Sequence, residues 1–341
     1  ADHCLILLDE PTSVLNETET QNLFRQMRKI AAQGHSVIFV SHRLNEILEV
    51  TDRIYVYKDG ESVGDLDTKD ATEARLYEMM VGKSTTTQYY HLDRQTIPLD
   101  DVVLEASDLG LHGIFKHVDL KLHKGEVLGL CGVVGSGVEE VCEVLCGDEK
   151  PSFGSISIKG RAVSFSAPKQ ALKEGLLMIP KERLFEGIVS TLPVEENIAL
   201  SNAHKLARGP VVPASAVRRQ AEHWIKTLRI KTRGPKELLM QLSGGNQQKV
   251  VFSRALASGA DVVILNHPTR GVDVGAKEEI YSLIRDMTAE GKAVIVLGDT
   301  LDECIGLSSR ILVMKDGLLT GEFQAPADNK PSQVDVVSLM M

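Results

Sequence analysis

Aromatic side chains are scarce in this sequence. Phe, Trp and Tyr make up 4% of it and Trp224 is the only tryptophan, which argues against a surface built to stack nucleic-acid bases. Cysteine is sparse as well. Cys4, Cys131, Cys142, Cys146 and Cys304 form an odd set with no C-x-x-C pair, which suits buried free thiols in a reducing compartment rather than a disulfide framework. Cys142 and Cys146 stand one helical turn apart, but no second cysteine or histidine pair completes a metal ligand set. Basic charge is in deficit. The 38 Lys and Arg against 47 Asp and Glu give a net charge of -9, so there is no general attraction to nucleic acid or to an anionic membrane surface. No apolar run approaches the ~18–20 residues of a membrane-spanning helix, and the first residues carry no signal-peptide pattern. Work at a membrane would therefore run through partners.

What is present is an ordinary globular mixture, 43% hydrophobic and 25% charged over 341 residues. That suffices for about two domains of ~100–200 residues, with a core that needs no staple. The two are related by an internal repeat. LLDEPTSVLNETETQNLF (Leu7 to Phe24) resembles ILNHPTRGVDVGAKEEIY (Ile264 to Tyr281), and Pro11 falls on Pro268, an offset of 257 residues. The offset holds without a gap for about fifty residues more. Gly34 falls on Gly291, Glu46 on Glu303, Arg53-Ile54 on Arg310-Ile311, Lys58-Asp59-Gly60 on Lys315-Asp316-Gly317 and Gly64 on Gly321. The second copy opens near Asp101, so its counterpart would begin roughly 157 residues before Ala1. The expected organisation is the C-terminal part of a first domain over 1–82, a polar linker over 83–99, and a complete second domain over 100–341. A sheet edge and an apolar face are expected to lie exposed in the first.

Periodicity gives the coarse elements. Cys4–Leu8 is an apolar run ending in two acids, read as a buried parallel strand. Glu17–Gln33 is amphipathic and stopped by Gly34. Ser36–Val40 reads as a second buried strand, Leu44–Val50 as a short helix, Arg53–Leu66 as a hairpin, and Thr72–Val81 as a helix. In the second copy, strands are expected at Val102–Ala106 and Val118–His123, and a strand, glycine loop and helix over Val127–Gly147. A helical region follows over Val194–Leu239, broken near Gly209–Pro213. The strand–helix–strand ending recurs from Asp261 to Glu322. Strands alternating with helices indicate an α/β domain around a mainly parallel sheet.

The most specific motif is Leu242-Ser243-Gly244-Gly245-Asn246-Gln247-Gln248-Lys249, which opens a helix. Ser243 can cap that helix, and the two glycines let backbone N–H groups approach an anion closely. With this motif on the page, the chain resembles ATP-binding cassette proteins, in which L-S-G-G-Q or L-S-G-G-N-Q-Q is the signature. Asp9-Glu10-Pro11-Thr12 resembles the end of the Walker B strand, and Ser41-His42 the switch-histidine segment. The N-Q-Q-K form and the run Thr269 to Lys277 look like the tandem ATP-binding subunits of bacterial monosaccharide importers (ribose, galactose or xylose type) and their nucleoside-importer relatives.

The resemblance implies a P-loop NTPase cassette with a RecA-like sheet, an antiparallel β subdomain and a helical subdomain over about 194–258. It implies ATP and Mg²⁺ as ligands. Asp9 would hold the metal, Glu10 would orient the hydrolytic water, and His42 would contact the γ-phosphate. Ser243, Gly244, Gly245, Asn246 and Gln247 would contact the nucleotide held by an opposing cassette. The second copy's own glycine loop runs Gly132-Val133-Val134-Gly135-Ser136-Gly137-Val138-Glu139-Glu140. Gly132, Gly135 and Gly137 keep a phosphate-binding backbone, but Val138 and Glu139 replace the Lys and Ser/Thr of a working P-loop, and a buried Glu139 carboxylate beside a triphosphate is expected to repel it. Asn266, His267 and Asp299 stand at the positions of Asp9, Glu10 and His42, so this copy is expected not to hydrolyse ATP. Pro180-Lys181-Glu182-Arg183 occupies the Q-loop region, and Asp273 that of the D-loop, with Asn16 as its first-copy equivalent. Trp224 is expected in the core.

The resulting expectation is the energy-coupling subunit of a sugar importer, peripheral on the cytoplasmic face of the bacterial inner membrane. Its partners would be transmembrane permease subunits and, through them, an extracytoplasmic sugar-binding protein. Nucleic acid is not expected as a partner, because residues 83–99 hold only Lys83 and Arg94 as basic residues. Rival readings are a non-hydrolytic regulatory cassette and a nucleoside importer.

Overall fold

A computed structural model describes residues 3–12, 15, 17–41, 43–58, 61–81 and 89–341. His42, Asn16, Asp59, Gly60 and residues 83–88 of the expected linker lie outside the described residues. The chain divides into two units: residues 1–89 with 273–275, and residues 90–272 with 276–341.

In the first unit β1 (Leu5–Asp9) pairs in parallel with β2 (Ser36–Val40), and α1 (Glu17–Ala32) connects them. Gly34 makes the turn at φ +85, a conformation that favours glycine. α2 (Leu44–Val50) leads into the antiparallel pair β3 (Arg53–Lys58) and β4 (Glu61–Asp67), followed by α3 (Glu73–Val81). Leu44, Ile54, Val56 and Leu76 form a small core. The reading of β1 and β2 as buried strands is corrected. They alternate: Leu5 is 59% exposed, Leu7 70%, Ile38 47% and Val40 50%. Phe24 of α1 is buried and packs edge-on to Phe39 of β2, so one face of this two-stranded sheet is covered and the other is not. Their repeat equivalents Val262, Ile264, Ile295 and Leu297 all belong to the main core of the second unit.

The second unit opens with β5 (Val102–Leu111) and β6 (Phe115–His123), then β7 (Val127–Gly132) and α4 (Val138–Cys146). β8 (Phe153–Ile158), β9 (Arg161–Val163), α5 (Pro168–Lys173) and β10 (Leu176–Ile179) follow. β6-β5-β8-β9 form a four-stranded antiparallel sheet. The region expected to be helical is only partly so. It holds α6 (Val194–Ala199), α7 (Ala203–Leu206) and α8 (Ala214–Thr227), and ends in a single 3₁₀ turn at Leu239–Gln241. Trp224 is half-buried beside His223 rather than in the core. α9 (Gly244–Ser258), β11 (Val262–Asn266), α10 (Val274–Ala289), β12 (Ala293–Leu297) and α11 (Leu301–Leu307) come next. The hairpin β13 (Arg310–Lys315) and β14 (Leu318–Gln324) and α12 (Gln333–Met340) end the unit. The central sheet runs β10-β11-β12-β7-β13-β14, parallel except for β14. α4 lays Val141, Cys142 and Leu145 on it within one core.

Residues 90–99, expected as linker, are seated on this unit. Arg285, fully buried, donates to the carbonyls of Tyr90 (3.2 Å), Leu307 (2.8 Å) and Gly306 (3.0 Å). Gly306 is required there, because a Cβ would fall 2.5 Å from the Tyr90 ring. Lys330 Nζ donates to Gln95 Oε1 at 2.7 Å and to the Ala325 carbonyl at 2.9 Å.

Candidate functional site

Both copies build the same turn where their first repeat strand ends. Glu10 has φ 45 and His267 φ 48, a left-handed backbone that is uncommon away from glycine. In each copy the amide of that residue donates at 2.9 Å to the end of the neighbouring strand, Glu10 to Val40 and His267 to Leu297. Two residues on, Thr12 Oγ1 donates to Glu46 Oε2 at 2.6 Å, and Thr269 Oγ1 to Glu303 Oε2 at 2.7 Å. All four of these partners are buried. This threonine–glutamate bridge fixes the segment after the second strand. In the first unit Glu46 also takes Arg43 Nη1 at 3.0 Å and Ser41 Oγ at 3.4 Å, so it organises the residues on either side of His42. In the second unit the Asp299 amide donates to Glu303 Oε2 at 3.2 Å. Backbone strain of this kind persists only where surrounding contacts over-determine it, and the bridge supplies such contacts.

The side chains carried on this shared backbone differ. Asp9 ends β1 with an exposed side chain and Glu10 follows it, half-buried. In the second unit, Asn266 is buried with Oδ1 unpartnered among the described residues. Asp299 sits 3.6 Å from Lys277 Nζ.

The glycine loop bounds a cavity of about 490 Å³, lined by residues 130–140 with Lys181, His267 and Gly298–Leu301 among others. Gly135 and Gly137 take φ 83 and φ 91, and Gly137 precedes α4 directly. At Gly132 a Cβ would stand 2.2 Å from Ser136 Oγ. The carboxylate of Glu139 was expected to be buried and repulsive. It is instead about a third exposed, and Lys181 Nζ binds it at 2.7 Å. His267 Nε2 lies 3.7 Å from the same oxygen. Burial, then the Lys181 charge, hold the His267 pKa below its usual range, so the ring is neutral at pH 7. The Cys131 thiol, at the back of the cavity, donates to Cys304 Sγ at 2.9 Å.

Among the described residues no three His, Cys, Asp or Glu side chains converge as a metal site. Around the glycine loop, the one carboxylate at the former hydroxyl position already holds an ammonium, and Asn266 brings no charge. These residues do not fit Mg²⁺. Asp9, exposed at its strand end, fits a single carboxylate ligand bound directly or through water.

The signature segment begins α9. Ser243 is the N-cap, but its hydroxyl makes no cap bond to the backbone; Asn246 Nδ2 donates to it at 2.9 Å. Asn246 Oδ1 accepts from the Lys231 amide at 2.7 Å, and Gln247 Nε2 donates to the carbonyls of Leu242 and Leu239. Asn246 and Gln247 therefore brace the turn, while Ser243 is exposed and the first turn carries no acid. The helix start is left open to an anion. Sequence reasoning missed the Lys181–Glu139 pair and the threonine–glutamate bridge. The bridge had a signal, since Thr12 with Glu46 and Thr269 with Glu303 keep the same spacing of 34 residues.

A mainly parallel sheet, an antiparallel sheet, a glycine loop before α4 and a signature turn before α9 define a nucleotide-binding cassette of the P-loop class. The ABC transporter family model matches residues 115–270, all within the second unit. Solved structures agree on the fold. A nucleotide-free ATP-binding cassette from an ABC transporter superposes with a TM-score of 0.60 at 20% identity, over 70% of this chain and 99% of that one. A dimeric cassette in a post-hydrolysis state bound to ADP and Pi gives 0.56 at 23% identity, over 65% and 98%. Among sequence relatives, the putative ribose/galactose/methyl galactoside import ATP-binding protein 2 of Rhizobium etli is 37% identical over 93% of this chain and 61% of its own length. The ribose import ATP-binding protein RbsA of Clostridium tetani is 35% identical, over 93% and 63%. The arabinose import ATP-binding protein AraG of Vibrio parahaemolyticus is 39% identical, over 94% and 63%. The chain thus spans about three fifths of the length of the curated relatives it matches.

Proposed function

We propose that this chain is the ATP-binding, energy-coupling part of a bacterial ABC importer for a monosaccharide or related polyol. The observation that carries the reading is a division of labour between equivalent positions. The acids Asp9 and Glu10 stand on the left-handed strand end of the first unit, whereas the open signature turn Ser243–Gln247 stands on the second. The second unit's own strand end has lost both acids. In this reading hydrolysis occurs at the nucleotide served by Asp9 and Glu10. Glu10 orients the attacking water and accepts its proton; in the second unit the Gly244 and Gly245 amides offer N–H groups to the phosphates of a nucleotide. Mg²⁺ at Asp9 would neutralise phosphate oxygens. His42 is assigned the γ-phosphate contact on the resemblance alone.

The names of the relatives support sugar as cargo. The partners are permease subunits, with an extracytoplasmic sugar-binding protein acting through them. No described helix is long and apolar enough to cross a membrane, and the proposed place is peripheral, on the cytoplasmic face. The Lys181–Glu139 pair favours a non-hydrolytic role for the second unit's glycine loop. The test is ATP hydrolysis and sugar uptake by the protein assembled with its membrane subunits in vesicles. Glu10→Gln is expected to lower both by about 100-fold or more. Unchanged hydrolysis overturns the reading, and uptake of a nucleoside in place of a sugar moves the cargo assignment.

A further inference from the structure

The second unit contains a cation to which the proposed reaction gives no task. The guanidinium of Arg183 lies against the start of α9. A Cβ built on Gly244 would stand 3.2 Å from Nη2 and 3.9 Å from Cζ, and one on Gly271 4.0 Å from Nη2. Nη1 donates to the Arg270 carbonyl at 3.3 Å, while Nε is buried without an acceptor among the described residues. The neighbouring Glu182 is engaged by Arg270 at 2.9 Å, and no described carboxylate pairs with Arg183. Burial alone holds its pKa below the usual range, with no opposing charge to raise it.

The other side of this contact is electropositive too. The first turn of α9 has no acidic residue, Ser243 provides no cap to its amides, and Lys249 further along is already paired with Glu279. A helix N-terminus carries roughly half a positive charge. Setting a part-buried guanidinium beside it, with no counter-charge, costs free energy that a bound anion would recover. An arginine suits this place because its planar fork presents two parallel N–H groups to phosphate oxygens, which a lysine ammonium cannot do.

We propose that Arg183 is a phosphate ligand of the signature segment, its Nη2 edge joining the Gly244 and Gly245 amides around one phosphate group of the nucleotide. The proposal rests on the reading of Ser243–Gln247 as nucleotide-binding. It gives the second unit a positive side chain to contribute, in the manner of an arginine finger, to a nucleotide it does not itself hydrolyse.

The test titrates the full ¹⁵N-labelled chain with sodium pyrophosphate in the absence of divalent cations. The Gly244 and Gly245 amides report this site, and the Gly135 and Gly137 amides report the glycine loop separately. Saturable shifts at Gly244 and Gly245 are expected, with a dissociation constant raised about 10-fold or more in Arg183→Gln and by less in Arg183→Lys. Equal affinity in a folded Arg183→Gln overturns the role of Arg183 and leaves the signature reading standing. No shift at Gly244 and Gly245 in the parent chain overturns both. If Arg183→Gln does not fold, Arg183→Lys decides: weaker binding than the parent supports the proposal, and equal binding overturns it.

Discussion

Substituting Glu303 by glutamine removes a charge from the middle of the second unit without changing the shape of the side chain. Glu303 is 1% exposed. One carboxyl oxygen accepts from Thr269 and the Asp299 amide, and the other has no partner among the described residues. Burial pushes its pKa from 4.5 up to about 7, against the opposing pull of the Thr269 hydrogen bond and Lys277. Its folded pKa lies above the unfolded one, so the folded state holds an extra proton between about pH 4.5 and 7. Stability conferred by the protonated form is full below that window and declines as the pH rises through it. A difference of about 2.5 pKa units corresponds to about 3 kcal/mol at pH 8. At roughly 2–4 °C per kcal/mol for a domain of this size, the parent should lose roughly 6–12 °C of melting temperature from this group between pH 5 and 8. Glu303→Gln should not. Trp224 is the only tryptophan and lies in the second unit, so its fluorescence follows that unit alone. Melting curves whose pH dependence is parallel in parent and Glu303→Gln would show that this carboxyl does not titrate as its burial requires.

Three further perturbations probe other parts of the second unit. Burial, with Arg285 nearby, lowers the Lys330 pKa to about 7. The folded state therefore gives up this proton before the unfolded one, and stability should rise with pH between about 7 and 10.5. NMR titration of the Nζ should show a midpoint near 7, and a midpoint close to ~10.4 refutes the assignment. Gly132→Ala should cost roughly 1–3 kcal/mol by chemical denaturation, because the new methyl meets Ser136 Oγ at 2.2 Å and Val138 Cγ2 at 2.6 Å. Gly135→Ala, with nothing within 4 Å but φ +83, should cost about 1 kcal/mol. Equal costs would show that space is not the constraint at Gly132.

Much of this architecture is legible in the sequence because its signals are local. The bounds of β2 and α2 coincide with the apolar runs that predict them, and the +257 repeat extends down to individual backbone hydrogen bonds. β8 to β10 and α12 escape notice. The first three are short and lack a clean alternation, and α12 shows itself chiefly by the capping box of Ser332 and Asp335. The apolar runs of β1 and β2 state only what a strand can bury, and the exposure of Leu5 and Leu7 agrees instead with the apolar face that the repeat leads one to expect in the first domain. Glu139 was misjudged for a related reason. A carboxylate in a phosphate loop is repulsive only if nothing neutralises it, and its partner Lys181 lies 42 residues away on another element.

The repeat separates what the backbone requires from what the chemistry requires. Glu10 and His267 share a left-handed conformation, the same amide bond to the adjacent strand and the same threonine–glutamate bridge two residues on. Nothing in that scaffold depends on the side chain being an acid, because it is built from backbone groups and from Thr and Glu at other positions. The two units therefore carry different side chains on the same turn. Those of the second unit are also mutually consistent. The acid missing at His267 reappears at Glu139, where Lys181 neutralises it and a neutral imidazole packs alongside. Restoring a glutamate at 267 alone would set a second carboxylate beside the first, with one ammonium for both, a like-charge arrangement that disfavours ionisation. The altered residues form one interlocked set, as the proposed non-hydrolytic role of the second unit requires.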